Sequence, residues 1–140
     1  MQQLRLGERK LLACIGILSL GLWADVHTDL PGQMAISAAV WAVFLAMIAR
    51  RPAPERHLYL GCVAIATAGE LFLSLAWGLY TYRLGNVPLF VPPGHALMLM
   101  LGASLAARMP EKLARAILGG AGAYAVLAAL AGLDTFAVPL

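Results

Sequence analysis

The sequence predicts an all-α fold: one polytopic membrane bundle of about five transmembrane helices spanning residues 1–140. Three observations predict it. Hydrophobic residues make up 61% of the 140 positions and charged residues only 12%, with a mean hydropathy of +0.81. The apolar residues fall into five stretches separated by proline, glycine or charge. Nine of the ten Lys and Arg residues fall on one side of such a bundle. A soluble domain is about 45–50% apolar and about 25% charged. Half the usual charge cannot cover a soluble globule this small, because small domains expose much of their area. The composition therefore excludes a soluble enzyme, a nucleic-acid binder and a disordered chain.

Each stretch has its own justification. A spanning helix needs about 20 apolar residues, and in lipid every backbone N–H must be satisfied within its own helix. The first stretch, 11–30, is strongly apolar only from Leu11 to Ala24. Fourteen residues rise ~21 Å, short of a ~30 Å hydrocarbon core. That helix is expected to carry Asp25 and His27 into the outer headgroup zone. A basic start, a short apolar run and Ala24 also describe a signal peptide, although Leu22 fits poorly at its cleavage site. The second stretch is 34–49, after Pro31-Gly32. The third is 58–82, after Arg50-Arg51-Pro52-Ala53-Pro54. The fourth is 94–109, behind Pro92 and Pro93, which suit a helix start. The fifth is 113–133. Its Gly119 and Ala123, with Ala121, Ala125 and Ala129, repeat at a spacing that permits close helix contact. That face suits internal packing, a homo-oligomer or a larger membrane complex.

Charge orients the bundle. Arg5, Arg9 and Lys10 precede the first stretch; Arg50, Arg51 and Arg56 follow the second; Arg108, Lys112 and Arg115 follow the fourth. The opposite connections carry Asp25, Asp29, Arg83 and Asp134. The positive-inside rule places the amino terminus in the cytoplasm and the carboxyl terminus outside. Ala, Leu, Gly and Arg usage points to a bacterial inner membrane. The net charge of +3 is explained by this topology and needs no nucleic acid.

Glu70 is the leading candidate for chemistry. It falls in the middle of the third stretch, where a charge costs at least ~2.5–3.5 kcal/mol. Thr67, Glu70, Ser74, Trp77 and Thr81 recur at helical spacing and form one polar stripe. The stripe is expected to face other helices, with Glu70 as acid, base or ligand anchor, or as a neutral acid bonded between helices. A second constellation gathers Asp25, His27, Asp29, Arg83, Asn86 and His95 at the outer ends. Asp25, His27 and His95 include metal-binding residue types, but their spacing matches no metal motif. Solvated headgroup-level residues are the plainer account. Glu70 lies too deep to reach His95 unless the segment 87–94 dips inward. Trp77, Tyr80 and Tyr82 beside Arg83 read as an aromatic belt. There is no histidine box or haem signature, so no cofactor is implied.

Glu70, then Gly78-Leu79-Tyr80-Thr81-Tyr82, Gly85, Val87-Pro88 and Val91-Pro92, resembles a pattern in membrane carotenoid-biosynthesis proteins of the carotenoid-hydratase type. The glutamate-to-glycine spacing is shorter here, those proteins are longer, and only about 25 of the 140 residues are covered. The resemblance implies a site for a long apolar isoprenoid or lipid. By it, Glu70 would protonate an alkene, with Tyr80 and Tyr82 near the resulting cation. Thr67, Ser74, Trp77, Arg83, Asn86 and His95 are the candidate ligand-binding residues. Two other readings stay open: a non-catalytic subunit or assembly factor of a larger complex, and a transporter or channel component with Glu70 as its proton or cation site.

Overall fold

The computed structural model describes residues 7–130. Within them the fold is all-α: α1 (Glu8–Val26), α2 (Leu30–Ile48), α3 (Ala53–Glu70), α4 (Val91–Ala106) and α5 (Glu111–Leu130). α3 continues without a break into a π-helical segment, Leu71–Ala76. Leu30–Ile48 and Ala53–Ala76 are long and apolar enough to cross a bilayer, and Val91–Ala106 is apolar but shorter. Arg5, the end of the fifth apolar stretch (131–133) and Asp134 lie outside the described residues.

The helix starts shift from the sequence expectation for one shared reason. Proline needs no N–H partner in a first helical turn, so it belongs inside the start. Pro31 and Gly32 therefore lie in the first turn of α2, not in a linker. The connection is instead residues 27–29, where the Asp29 carboxylate accepts from Gly32 N–H at 3.1 Å and caps the helix. A Cβ on Gly32 would meet Thr28 Oγ1 at 1.6 Å, so this close approach requires glycine. Likewise α3 begins at Ala53, with Pro54 in its first turn. α4 begins at Val91, taking in Pro92 and Pro93.

The end of the third helix shifts further. Residues 77–82 are not helical. The hydrogen bonds widen over Leu71–Ala76, and Trp77 N–H reaches back to Phe72 C=O at 2.8 Å. Gly78 then adopts φ +70°, and Leu79 N–H bonds to Leu73 C=O at 2.9 Å. A left-handed glycine is a common way to end a helix. Glu70 is consequently roughly 9 Å from the helix end and roughly 26 Å from its start, not at the centre of the element.

α4 is the central element, packing against α1, α2 and α3, while α1 and α2 pack on each other. The core joins Cys14 of α1, Phe44 and Met47 of α2, Tyr59 of α3, and Ala96, Leu97 and Met100 of α4. The Cys14 thiol lies 3.6 Å from Leu97 C=O and 3.9 Å from Met47 Sδ, stitching three helices at one level. Several polar side chains are buried beside this apolar core, and many large apolar ones face outward. Gln33, Ser37, Glu70, Ser74 and Ser104 are buried, whereas Leu20, Trp23, Ile65, Leu75 and Leu118 are exposed. No described residue of α5 is buried.

This division predicts opposite responses to truncation. Phe44→Ala removes a ring that is 0% exposed and is expected to cost about 3–5 kcal/mol. Leu118→Ala, at a position 73% exposed, is expected to cost under about 0.5 kcal/mol. Thermal unfolding of detergent-purified protein measures both.

Candidate functional site

The site is built at the end of the bundle where α3 stops. Glu70 occupies the last regular turn of α3, one residue before the π segment, and its side chain is 11% exposed. π turns inside helices are frequent at functional sites because the extra residue re-aims neighbouring side chains. The chain then turns at Gly78 and again at Gly85, whose φ is +69° and whose N–H bonds Tyr82 C=O at 2.8 Å. Between these glycines the tyrosines fold back over Glu70.

Both phenols donate to one carboxyl oxygen. Tyr82 Oη donates to Glu70 Oε2 at 2.6 Å, and Tyr80 Oη donates to the same atom. The two rings meet edge to face with centroids 5.6 Å apart. The other oxygen, Oε1, lies 3.8 Å from Nε2 of His95. That gap exceeds a hydrogen bond. The opposite ring nitrogen, Nδ1, is 2.9 Å from Val91 C=O. A carbonyl only accepts, so Nδ1 carries a hydrogen, and in a neutral ring Nε2 is the lone-pair nitrogen.

The condition for bringing Glu70 to His95 is met: the stretch 87–94, which runs into the first turn of α4, packs inward. Pro88, Phe90, Pro92, Pro93 and Gly94 are all buried. A chain of polar contacts holds this segment down. Trp41 Nε1 donates to Leu89 C=O at 2.9 Å. Asn86 Nδ2 donates to Gln33 Oε1 at 2.9 Å, and Gln33 Nε2 donates to Asp25 Oδ1 at 3.0 Å. Asp25 as a carboxylate can only accept, so it sets the direction of both amides. The Arg83 guanidinium donates to the carbonyls of Asp25, at the end of α1, and of Thr28, in the connection after it.

The candidate residues therefore separate. Glu70, Tyr80, Tyr82 and His95 form one cluster. Asp25, Arg83 and Asn86 form the anchor beside it, and sequence reasoning missed its central member, the buried Gln33. A glutamine inside the apolar run of α2 was the available signal. The polar stripe on α3 is real as far as Ser74, which is buried. Thr67 bonds Val63 C=O at 2.8 Å within its own helix. Trp77 and Thr81 leave the stripe because the helix has ended; both are exposed, and Trp77 packs on Phe72. His27 stacks on Trp23 at 5.0 Å. Asp25, bonded to Gln33, and His95, beside Glu70, are held in different networks. Among the described residues no group of three or more His, Cys, Asp or Glu side chains could hold a metal ion.

Apolar space adjoins the cluster through His95, whose side chain is 49% exposed. A hollow of about 110 Å³ lies between α1, α2 and α4, lined by Leu18, Val40, Phe90 and Met98. A groove of about 490 Å³ runs along α3 and α4 past Leu58, Gly61, Cys62, Ile65, Ala66 and Leu99. His95 lines both, and Glu70 lines neither. The histidine is thus the group that meets an occupant of either space, with the carboxyl behind it. No protein family, curated protein or solved structure matches the chain.

Burial, reinforced by the bond to Glu70, pushes the Tyr82 phenol above its ordinary value, and Tyr80 shifts the same way. Both hydroxyls stay protonated and remain donors. The sign follows from linkage: the folded state holds a proton that the unfolded chain releases at about pH 10. This contribution to stability is complete below about pH 10 and is lost as pH rises further. Thermal stability of the wild type is expected to fall above pH 10 more steeply than that of Tyr82→Phe. Parallel melting curves from pH 8 to 11 check it.

Proposed function

We propose that this chain is a small integral protein of a bacterial inner membrane whose site around Glu70 binds or modifies an apolar lipid or isoprenoid. In this reading five helices span the bilayer, with the amino terminus inside and the 77–90 segment at the outer side. One observation carries the reading: a buried carboxyl, held by two phenols, backs onto a histidine that opens into two apolar spaces. Buried ionisable groups in such segments mark function by default, because they are costly to place. The apolar spaces receive the ligand's hydrocarbon. The carboxyl–histidine pair supplies acid–base chemistry where the two spaces meet at His95.

The division of labour follows from the contacts. Tyr80 and Tyr82 hold Oε2, fix the carboxyl rotamer and leave Oε1 as the working oxygen. His95 stands between Oε1 and the ligand. The resemblance to the carotenoid-hydratase type supports a proton donated to an alkene; in this arrangement the proton of Oε1 passes to Nε2 of His95, and Nε2–H delivers it to the ligand. A subunit role in a larger membrane assembly is favoured by a different observation, the absence of any buried residue among the described part of α5.

Two experiments test the proposal. Protein extracted with its surrounding membrane by a polymer is expected to carry an apolar lipid or isoprenoid enriched over the bulk membrane. Glu70→Gln and the groove-filling Ala66→Trp are each expected to lower that enrichment severalfold. Identical lipid profiles from all three proteins would overturn the assignment. Orientation is read by labelling single cysteines in a Cys14→Ala, Cys62→Ala background. A probe at Asn86 is expected to react from outside the cell, and one at Arg56 only after the membrane is breached. The reverse pattern would overturn the topology.

A further inference from the structure

Resting on the ligand site just proposed, we infer that the gap between Glu70 Oε1 and His95 Nε2 is a seat for a hydroxyl group, carried by the end of the apolar ligand or supplied by water. The two atoms face each other at 3.8 Å, too far for a direct hydrogen bond and close enough for one oxygen to reach both. An oxygen about 2.8 Å from each sits to one side of the line joining them. His95 is half exposed and lines both apolar spaces, so a ligand lying in either can present its end group at the gap.

Proton inventory selects a hydroxyl over other polar groups. Glu70 Oε2 already accepts two phenol hydrogens, which leaves Oε1 to act. Nδ1 of His95 is committed as a donor to Val91 C=O, which leaves Nε2 to act. With the carboxyl ionised and the imidazole protonated, the seated hydroxyl accepts from Nε2–H and donates to Oε1. With both neutral, Oε1–H donates to the hydroxyl and the hydroxyl donates to Nε2. The two states differ by one proton moved along each of two hydrogen bonds, and the summed charge of the pair is zero in both. A carbonyl or ether oxygen can only accept, and it fills one half of the seat. A hydrocarbon end fills neither.

The groove matches one linear chain. Leu58 to Ala66 of α3 line it, a rise of ~12 Å along the helix. A chain with its hydroxyl at His95 lies with its tail directed toward His57. The structure thus points to a single-chain apolar alcohol, or to an apolar chain with one trapped water at its end.

The test uses the full chain in lipid nanodiscs with ¹⁵N-labelled histidine. The probes are a fifteen-carbon prenyl alcohol, its methyl ether and the matching hydrocarbon. A ligand hydroxyl predicts that the alcohol binds at least about tenfold more tightly than the other two. That preference should vanish in Glu70→Gln and in His95→Phe. A water hydroxyl predicts equal binding of alcohol and hydrocarbon. Each should then shift the His95 Nε2 resonance of the wild type, and that response should be lost in Glu70→Gln. Binding of all three probes with His95 Nε2 unmoved would overturn the hydroxyl seat while leaving the apolar site standing. Failure of every probe to bind would overturn the apolar site as well. The resonance is read on wild-type protein, so a variant that fails to fold does not remove the test.

Discussion

A carboxyl group placed among helices must be given donors, and the arrangement around Glu70 follows from that requirement. An unpaired buried charge costs several kcal/mol. α3 cannot meet the cost from its own backbone, because its N–H groups are already used in the helix. The donors come instead from ten and twelve residues further on, as Tyr80 and Tyr82. For them to return, the helix must stop. The π segment and Gly78 stop it and reverse the chain. The break in the helix and the satisfaction of the acid are therefore one structural event.

The returning segment needs its own restraint, since 77–90 contains no regular helix. Besides the tyrosines that return to Glu70 of α3, its side-chain contacts reach the end of α1 and α2. Arg83 engages carbonyls at the end of α1, Asn86 reaches Gln33, and Trp41 holds Leu89. Each ties irregular backbone to a helix positioned by the core. The order of support runs from the packed helices to the anchor, from the anchor to the tyrosines, and from the tyrosines to the carboxyl. Precise placement of a reactive group depends on this kind of supporting shell.

His95 takes its importance from position. α4 touches α1, α2 and α3, so a residue in its second turn can face several elements at once. His95 has the carboxyl on one side and apolar space on two others. The inward dip of Pro88 to Gly94 lowers the start of α4 to the level of Glu70. Pro92 and Pro93 stiffen the first turn of α4, where two N–H groups would otherwise have no partner within the helix.

Composition and periodicity alone determined the helical class, the five segments and the singular standing of Glu70. These are local or summed properties: apolar runs, punctuation, and one acid in an oily stretch. Apolar runs start the second, third and fourth helices at 34, 58 and 94 and leave the prolines outside them, although proline at a helix start obeys a local rule. Tertiary structure decided the rest. Tyr80 and Tyr82, which read locally as interface anchors, turn inward because a distant acid recruits them. Gln33, unremarked in the apolar run of α2, becomes the centre of a network because Asp25 and Asn86 converge on it. The meeting of Glu70 with His95 depends on a loop dipping between helices. Helical periodicity says which residues share a face, and it carries no information about where a broken chain returns.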